Sequence, residues 1–109
     1  MLDDGKSLRS YIYILDVLKM LTNILFFGKK DLYNIGGKKI ITIKGLAKEI
    51  SRILNVDFET PKINSINKIG KPPKNAFVSI DSYESEFGKI KLLDIKDGLK
   101  RTINWHKLL

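Results

Sequence analysis

The spacing of apolar residues predicts a helix in the first third of the chain. Between residues 15 and 27, Val17, Leu21 and Ile24 repeat with the 3.6-residue period of a helix, and polar residues such as Lys19 fall between them. Gly28 is expected to end this helix, because glycine readily adopts the backbone conformations that follow a last helical turn.

The clearest helical pattern follows Thr42, which is a predicted N-cap because its hydroxyl can accept a hydrogen bond from the first turn. Its apolar positions recur at intervals of three and four, which places them on one face. They are Ile43, Leu46, Ala47, Ile50, Ile53 and Leu54.

Two more helices are predicted towards the C-terminus. The first is short, spans residues 81–87 and is closed by Gly88. The second begins with Asp94 as its N-cap, and Asp97 lies in its first turn, where a carboxylate is favourable. Its apolar stripe consists of Ile95, Leu99 and Ile103.

Strands are predicted at two places. Residues 9–15 are rich in aromatic and β-branched side chains, and residues 31–35 lead into Gly36 and Gly37. Gly36 is expected to supply backbone freedom after the second strand. Residues 64–75, with Gly70 and two prolines, are predicted to form a loop. The chain is therefore expected to be a single α+β domain over residues 1–109, with about three well-formed helices, apart from the short one at 81–87, and two or three short strands.

The charge and the residue types of the chain favour some classes of binding partner over others. The 20 basic residues outnumber the 12 acidic ones, giving a net charge of +8, which favours anionic partners such as phosphates or nucleic acid. Lysine is spread along the whole chain, however, which equally fits a solvated basic surface.

There is no cysteine and only one histidine, His106, which argues against a metal site. No apolar run reaches the ~20 residues of a membrane span, and residues 1–6 do not resemble a signal peptide. A soluble, cytoplasmic protein is expected.

The common catalytic and nucleotide-binding motifs are absent from the sequence. It contains neither G-x-G-x-x-G nor a G-x-x-x-x-G-K-[ST] phosphate loop. Lysine does not follow any of the four tyrosines at the fourth position, so a Tyr-x-x-x-Lys proton-transfer pair is also missing.

Three stretches, in their order and spacing, resemble one family. They are residues 9–17 (RSYIYILDV), residues 33–37 (YNIGG) and residues 98–105 (GLKRTINW). Together they resemble the C-terminal part of the NAD-dependent epimerases and dehydratases of nucleotide sugars, which are extended short-chain dehydrogenases. The resemblance implies the substrate side of such an enzyme. The glycine-rich dinucleotide loop and the Tyr-x-x-x-Lys pair of the family belong to its N-terminal part, so this chain alone is expected to bind no cofactor, although the family uses NAD(P).

The resemblance also suggests which residues bind the substrate, a nucleotide sugar (NDP-sugar). Arg9 matches an arginine that contacts the nucleotide, and a guanidinium can bind phosphate oxygens bidentately. Alternatively, its stem packs on the strand and its head lies in water. Where the family has a second arginine, this chain has Lys71 and Lys74, which offer point charges instead of a fork. These lysines could equally be solvated loop residues.

Other matched positions are expected to be structural. Asp16 and Asn34 are predicted capping or turn residues, and Trp105 is predicted to anchor packing. In the resembled fold the first helix packs on the cofactor domain, so its apolar C-terminal residues, among them Leu25, Phe26 and Phe27, are expected to be exposed here. Exposed apolar surface drives association, so the expected partners are a second copy of the chain or a missing Rossmann domain.

Two alternatives to nucleotide-sugar binding remain open at this stage. The chain could be a structural or oligomerisation module that keeps the fold without the ligand. A small basic nucleic-acid binder is disfavoured, because the lysines are scattered and do not alternate with aromatic residues.

Overall fold

The computed structural model describes residues 4–60 and 73–109. They form four helices and one three-stranded sheet, which confirms the predicted α+β class. No helix in these two ranges is long and apolar enough to cross a bilayer. The helices are α1 (Ile14–Phe27), α2 (Ile43–Leu54), α3 (Asp81–Phe87) and α4 (Ile95–Lys107), and the strands are β1 (Leu8–Ser10), β2 (Ile40–Thr42) and β3 (Asn75–Ala76).

The sheet is built around β1, which pairs with a different strand on each side. It runs antiparallel to β2, with Arg9 opposite Ile41, and parallel to β3, with Arg9 opposite Ala76. Three short segments that are distant in sequence therefore meet at Arg9.

The predicted N-caps of α2 and α4 and the predicted bounds of α3 are confirmed. The Thr42 hydroxyl accepts a hydrogen bond from the Gly45 N–H at 2.9 Å. Asp94 Oδ1 accepts one from the Lys96 N–H at 3.1 Å. Each bond satisfies an N–H group that has no acceptor within its own helix. Gly88 closes α3 with φ at 86°, a conformation that glycine adopts without a steric penalty.

The buried core of the described residues is small and joins α1 to α3. Met20, Ile80 and Tyr83 are its buried apolar members. The Tyr83 ring stacks at 4.8 Å from the ring of Phe87, and its hydroxyl accepts a hydrogen bond from Asn23 Nδ2 at 2.8 Å. Partly buried residues surround this centre: Ile12, Ile24, Tyr33, Ile35, Phe87, Ile90 and Leu92.

The strand predicted over residues 9–15 is much shorter in the structure. Only residues 8–10 pair, and α1 begins at Ile14, one residue earlier than the apolar period indicates. The β-branched residues Ile12 and Ile14 favour a strand locally. Neither partner strand extends beyond three residues, however, so the β1 ladder ends at Ser10.

The second predicted strand, residues 31–35, is wrong, because this segment is not in the sheet. Its central residue, Tyr33, instead serves the end of α1. The Tyr33 hydroxyl accepts hydrogen bonds from the N–H groups of Lys29 and Lys30 at 2.8 and 2.9 Å, and it donates one to Glu86 Oε2 at 2.7 Å. The strand lies a few residues later, at β2. Tertiary contacts therefore override the local preference for an extended strand.

Gly36 and Gly37 are required for a different reason from the one predicted. Neither has a positive φ. A Cβ at Gly36 would lie 2.7 Å from Cγ2 of Val78, and a Cβ at Gly37 would overlap the carbonyl group of Tyr11. These glycines therefore allow two backbone segments to pass in contact.

Replacing the N-cap of α2 should destabilise the protein. We expect Thr42→Ala to lower the free energy of unfolding by about 1 kcal/mol, because the Gly45 N–H loses its acceptor. Urea unfolding followed by circular dichroism measures this. Thr42→Ser, which keeps the hydroxyl, should retain most of the stability. Thr22→Ala removes a mid-helix hydroxyl bonded to Leu18 O and should be nearly neutral; equal losses at Thr22 and Thr42 would contradict the capping role.

Two glycine substitutions should have opposite effects. Gly37→Ala should cost on the order of 2 kcal/mol or more, because the Tyr11 backbone must move. Gly98→Ala, inside α4, should stabilise by about 0.5–1 kcal/mol, because its Cβ would meet the Tyr13 ring at an ordinary 3.5 Å and alanine favours a helix. The same unfolding experiment measures both, and a loss of stability in Gly98→Ala would contradict the packing described for α4.

Candidate functional site

Arg9 occupies the middle of the central strand and is half-buried. Its Nη1 donates hydrogen bonds to the carbonyl oxygens of Leu8 at 2.8 Å and of Lys74 at 3.5 Å. The backbone reinforces this contact, since the Leu8 N–H donates to the same Lys74 oxygen at 3.0 Å. Two of the three predicted site residues, Arg9 and Lys74, therefore lie side by side, while Lys71 lies outside the described residues.

Among residues 4–60 and 73–109, the Arg9 guanidinium uses only Nη1 for hydrogen bonds. Both bonds come from Nη1, and a guanidinium carries five N–H donors in a planar fork. The edge formed by Nη2 and Nε can contact two oxygens of a phosphate while Nη1 stays bonded to the backbone. Lys74 is exposed, and its backbone carbonyl is the group that Arg9 contacts. A guanidinium edge of this kind can bind an oxyanion.

A groove of about 770 Å³ begins two residues after Arg9. The segment 11–15 and helix α4 form its walls, which are mainly apolar, and Leu99 and Trp105 are among its lining residues. Arg101 and Asp94 supply charge, and the Arg101 guanidinium lies 5.8 Å from the centre of the Tyr13 ring, in cation–π contact. Neither Arg9 nor Lys74 lines this groove, so the charged pair and the groove are separate features.

The prediction for Trp105 is wrong within this chain. Its side chain is 61% exposed, so it does not anchor packing. It lies at the groove because Gly98, Arg101 and Trp105, at intervals of three and four, share one face of α4. The groove is not among the features predicted from the sequence. The spacing of these three residues is the pattern that indicates it, because it places a glycine, an arginine and the only tryptophan on one helix face.

Asp16 does not act as the predicted cap or turn residue, because α1 has no side-chain cap and the partner of Asp16 is distant in sequence. Its Oδ2 accepts a hydrogen bond from the Leu93 N–H at 2.8 Å. This bond ties the first turn of α1 to the segment that precedes α4. Since both elements contribute to the groove, Asp16 helps to fix its width. Asn34 is exposed.

Lysines on the segment after α1 neutralise carboxylates near the site. Lys39 Nζ bonds Asp94 Oδ2, and this bond, together with the Lys96 N–H, lowers the pKa of Asp94. Lys38 Nζ bonds Glu84 Oε2 at 2.6 Å and, with the Ile90 N–H, lowers the pKa of Glu84. These contacts hold both carboxyl groups ionised, which makes them structural ion pairs and poor proton donors. No group of three metal-ligating side chains occurs in residues 4–60 and 73–109.

The Asp94 ion pair predicts a pH dependence. A carboxyl whose pKa is lowered on folding stabilises the protein above its unfolded pKa of about 4 and loses this contribution as the pH falls through its folded pKa. We expect Lys39→Met to raise the Asp94 pKa and to weaken this acid dependence. Carboxyl carbon NMR during a pH titration measures the pKa. Lys19→Met removes the same charge from α1 and should leave Asp94 unchanged; an unshifted Asp94 in Lys39→Met would contradict the pairing.

Known proteins that are similar to this chain in sequence or in fold are enzymes of nucleotide sugars. No family model matches the chain. It is 31% identical over 106 residues to a trifunctional UDP-glucose 4,6-dehydratase/UDP-4-keto-6-deoxy-D-glucose 3,5-epimerase/UDP-4-keto-L-rhamnose-reductase of Arabidopsis thaliana. The match covers 94% of this chain but only 15% of the plant enzyme. The chain therefore spans a small part of the curated relatives that it matches.

Solved structures agree with the sequence match. The Bordetella bronchiseptica enzyme WbmF, crystallised with NAD+ and UDP, is 30% identical with a TM-score of 0.76, over 99% of this chain and 31% of that enzyme. The dTDP-glucose 4,6-dehydratase of Bacillus anthracis, in complex with NAD, has a TM-score of 0.79 at 20% identity, over 97% of this chain and 33% of that enzyme. At that identity it shows the fold alone. In sequence and in fold, the chain corresponds to a fragment of the NAD-dependent nucleotide-sugar epimerases and dehydratases, as the order of its motifs predicts.

Proposed function

We propose that this chain binds a nucleotide sugar and forms the C-terminal, substrate-binding part of an NAD-dependent sugar epimerase or dehydratase, with residues 1–109 as one domain. Arg9, Lys71 and Lys74 are the proposed substrate-binding residues. The observation that carries the proposal is the position of Arg9, which the sheet holds beside Lys74 with one edge of its guanidinium oriented away from its backbone bonds.

A diphosphate suits this pair of residues. Arg9 offers a planar fork that matches two oxygens of one phosphate, whereas an ammonium group such as that of Lys74 acts as a point charge on the other. The pairing of β1 with β3 fixes the distance between their backbones, so little ordering is required when the ligand binds. Lys71 precedes Lys74 by three residues and would add a further positive charge.

Uridine is the proposed base. Two relatives with at least 30% identity support this base: the plant enzyme is named for UDP-sugars, and WbmF was crystallised with UDP. The dTDP-glucose dehydratase shares the fold at lower identity and supports the wider class of nucleotide sugars only through that fold.

The residues of this chain do not fit an NAD(P) site. The sequence has no G-x-G-x-x-G loop, and its only close glycine pair, Gly36 and Gly37, is packed against Val78 and Tyr11 with no room even for a Cβ. Hydride transfer needs a bound nicotinamide and a positioned acid or base. We therefore assign no catalytic step to residues 1–109 alone, and a Rossmann domain, in the same polypeptide or in a partner, would have to supply the chemistry.

A structural or oligomerisation module is the second candidate function. The exposed apolar residues at the end of α1 favour it: Leu25, Phe26 and Phe27 are 78%, 69% and 68% exposed, as the sequence predicts. Surface of this kind is typical of an interface. A module of this kind would keep the fold and ignore nucleotides, so the two candidates differ in a direct binding experiment.

Titration of the amide proton–nitrogen NMR spectrum with UDP, dTDP, GDP and CDP tests the nucleotide proposal. We expect saturable shifts with UDP around Arg9 and Lys74, and weaker or no shifts with the purine nucleotide GDP. Arg9→Ala should lower the UDP affinity roughly tenfold or more, because a charge-assisted bidentate contact is lost. Arg9→Lys should recover only part of the affinity, because lysine lacks the fork.

Arg52→Ala is the matched control. Arg52 is an exposed arginine on α2 that pairs with Glu49 at 2.7 Å, away from the β1–β3 edge. Its removal changes the net charge by the same amount and should leave UDP binding unchanged. A well-dispersed spectrum that responds to none of the four nucleotides would refute the proposal and favour the structural module. Equal losses in Arg9→Ala and Arg52→Ala would mean that net charge, not the site, attracts the nucleotide.

A further inference from the structure

We draw no further inference here: the strongest candidate, the apolar outer face of α1 together with the adjoining groove between residues 11–15 and α4, carries none, because nothing in the structure shows what covers it.

Discussion

The hydrogen bonding of one three-residue strand, β1, sets the positions of the other elements around the site. Because β1 pairs with β2 on one side and β3 on the other, it joins segments that are more than 30 residues apart along the chain. The same pairing places Arg9 beside the Lys74 carbonyl oxygen. Segment 11–15, which lines the groove, follows β1 directly in the chain. The proposed phosphate-binding residues and the groove thus depend on a ladder with very few bonds, which must be supported by contacts outside the sheet.

Side-chain hydrogen bonds between the helices and their connecting segments provide such contacts. Asp16 bonds the backbone before α4, and Tyr33 bonds both the end of α1 and Glu86 of α3. Lys39 bonds Asp94 at the start of α4. Asp16 and Lys39 link elements that are distant in sequence, and the Tyr33 hydroxyl joins the neighbouring end of α1 to the distant α3. These bonds connect α1, α3 and α4 outside the small apolar core of the described residues.

The apolar residues of the chain are divided between a small core and an exposed helix end. Met20, Ile80 and Tyr83 are buried, while Leu25, Phe26 and Phe27 at the end of α1 remain exposed. The structurally similar enzymes are about three times longer than the region they share with this chain, and their chains continue beyond it. The exposed apolar end of α1 can therefore receive a further domain or a partner.

Local sequence by itself determined the helices, their caps and the family. Thr42, Asp94 and Gly88 act at helix ends through bonds or backbone angles that involve neighbouring residues, so spacing alone locates them. The order of short motifs was likewise sufficient to indicate a nucleotide-sugar epimerase or dehydratase fragment.

Only the tertiary structure shows which extended segments become strands. It also shows what requires the glycines and where the groove lies. Residues 31–35 have the composition of a strand, yet the Tyr33 hydroxyl is bound at the end of α1 and the edge of β1 is occupied by residues 40–42. Gly37 is fixed by the Tyr11 backbone, which is 26 positions away, and Trp105 is exposed because no described element packs over it. Strand pairing and close packing join residues that are distant in the chain. A local pattern carries no information about which distant segment will pair or pack with it.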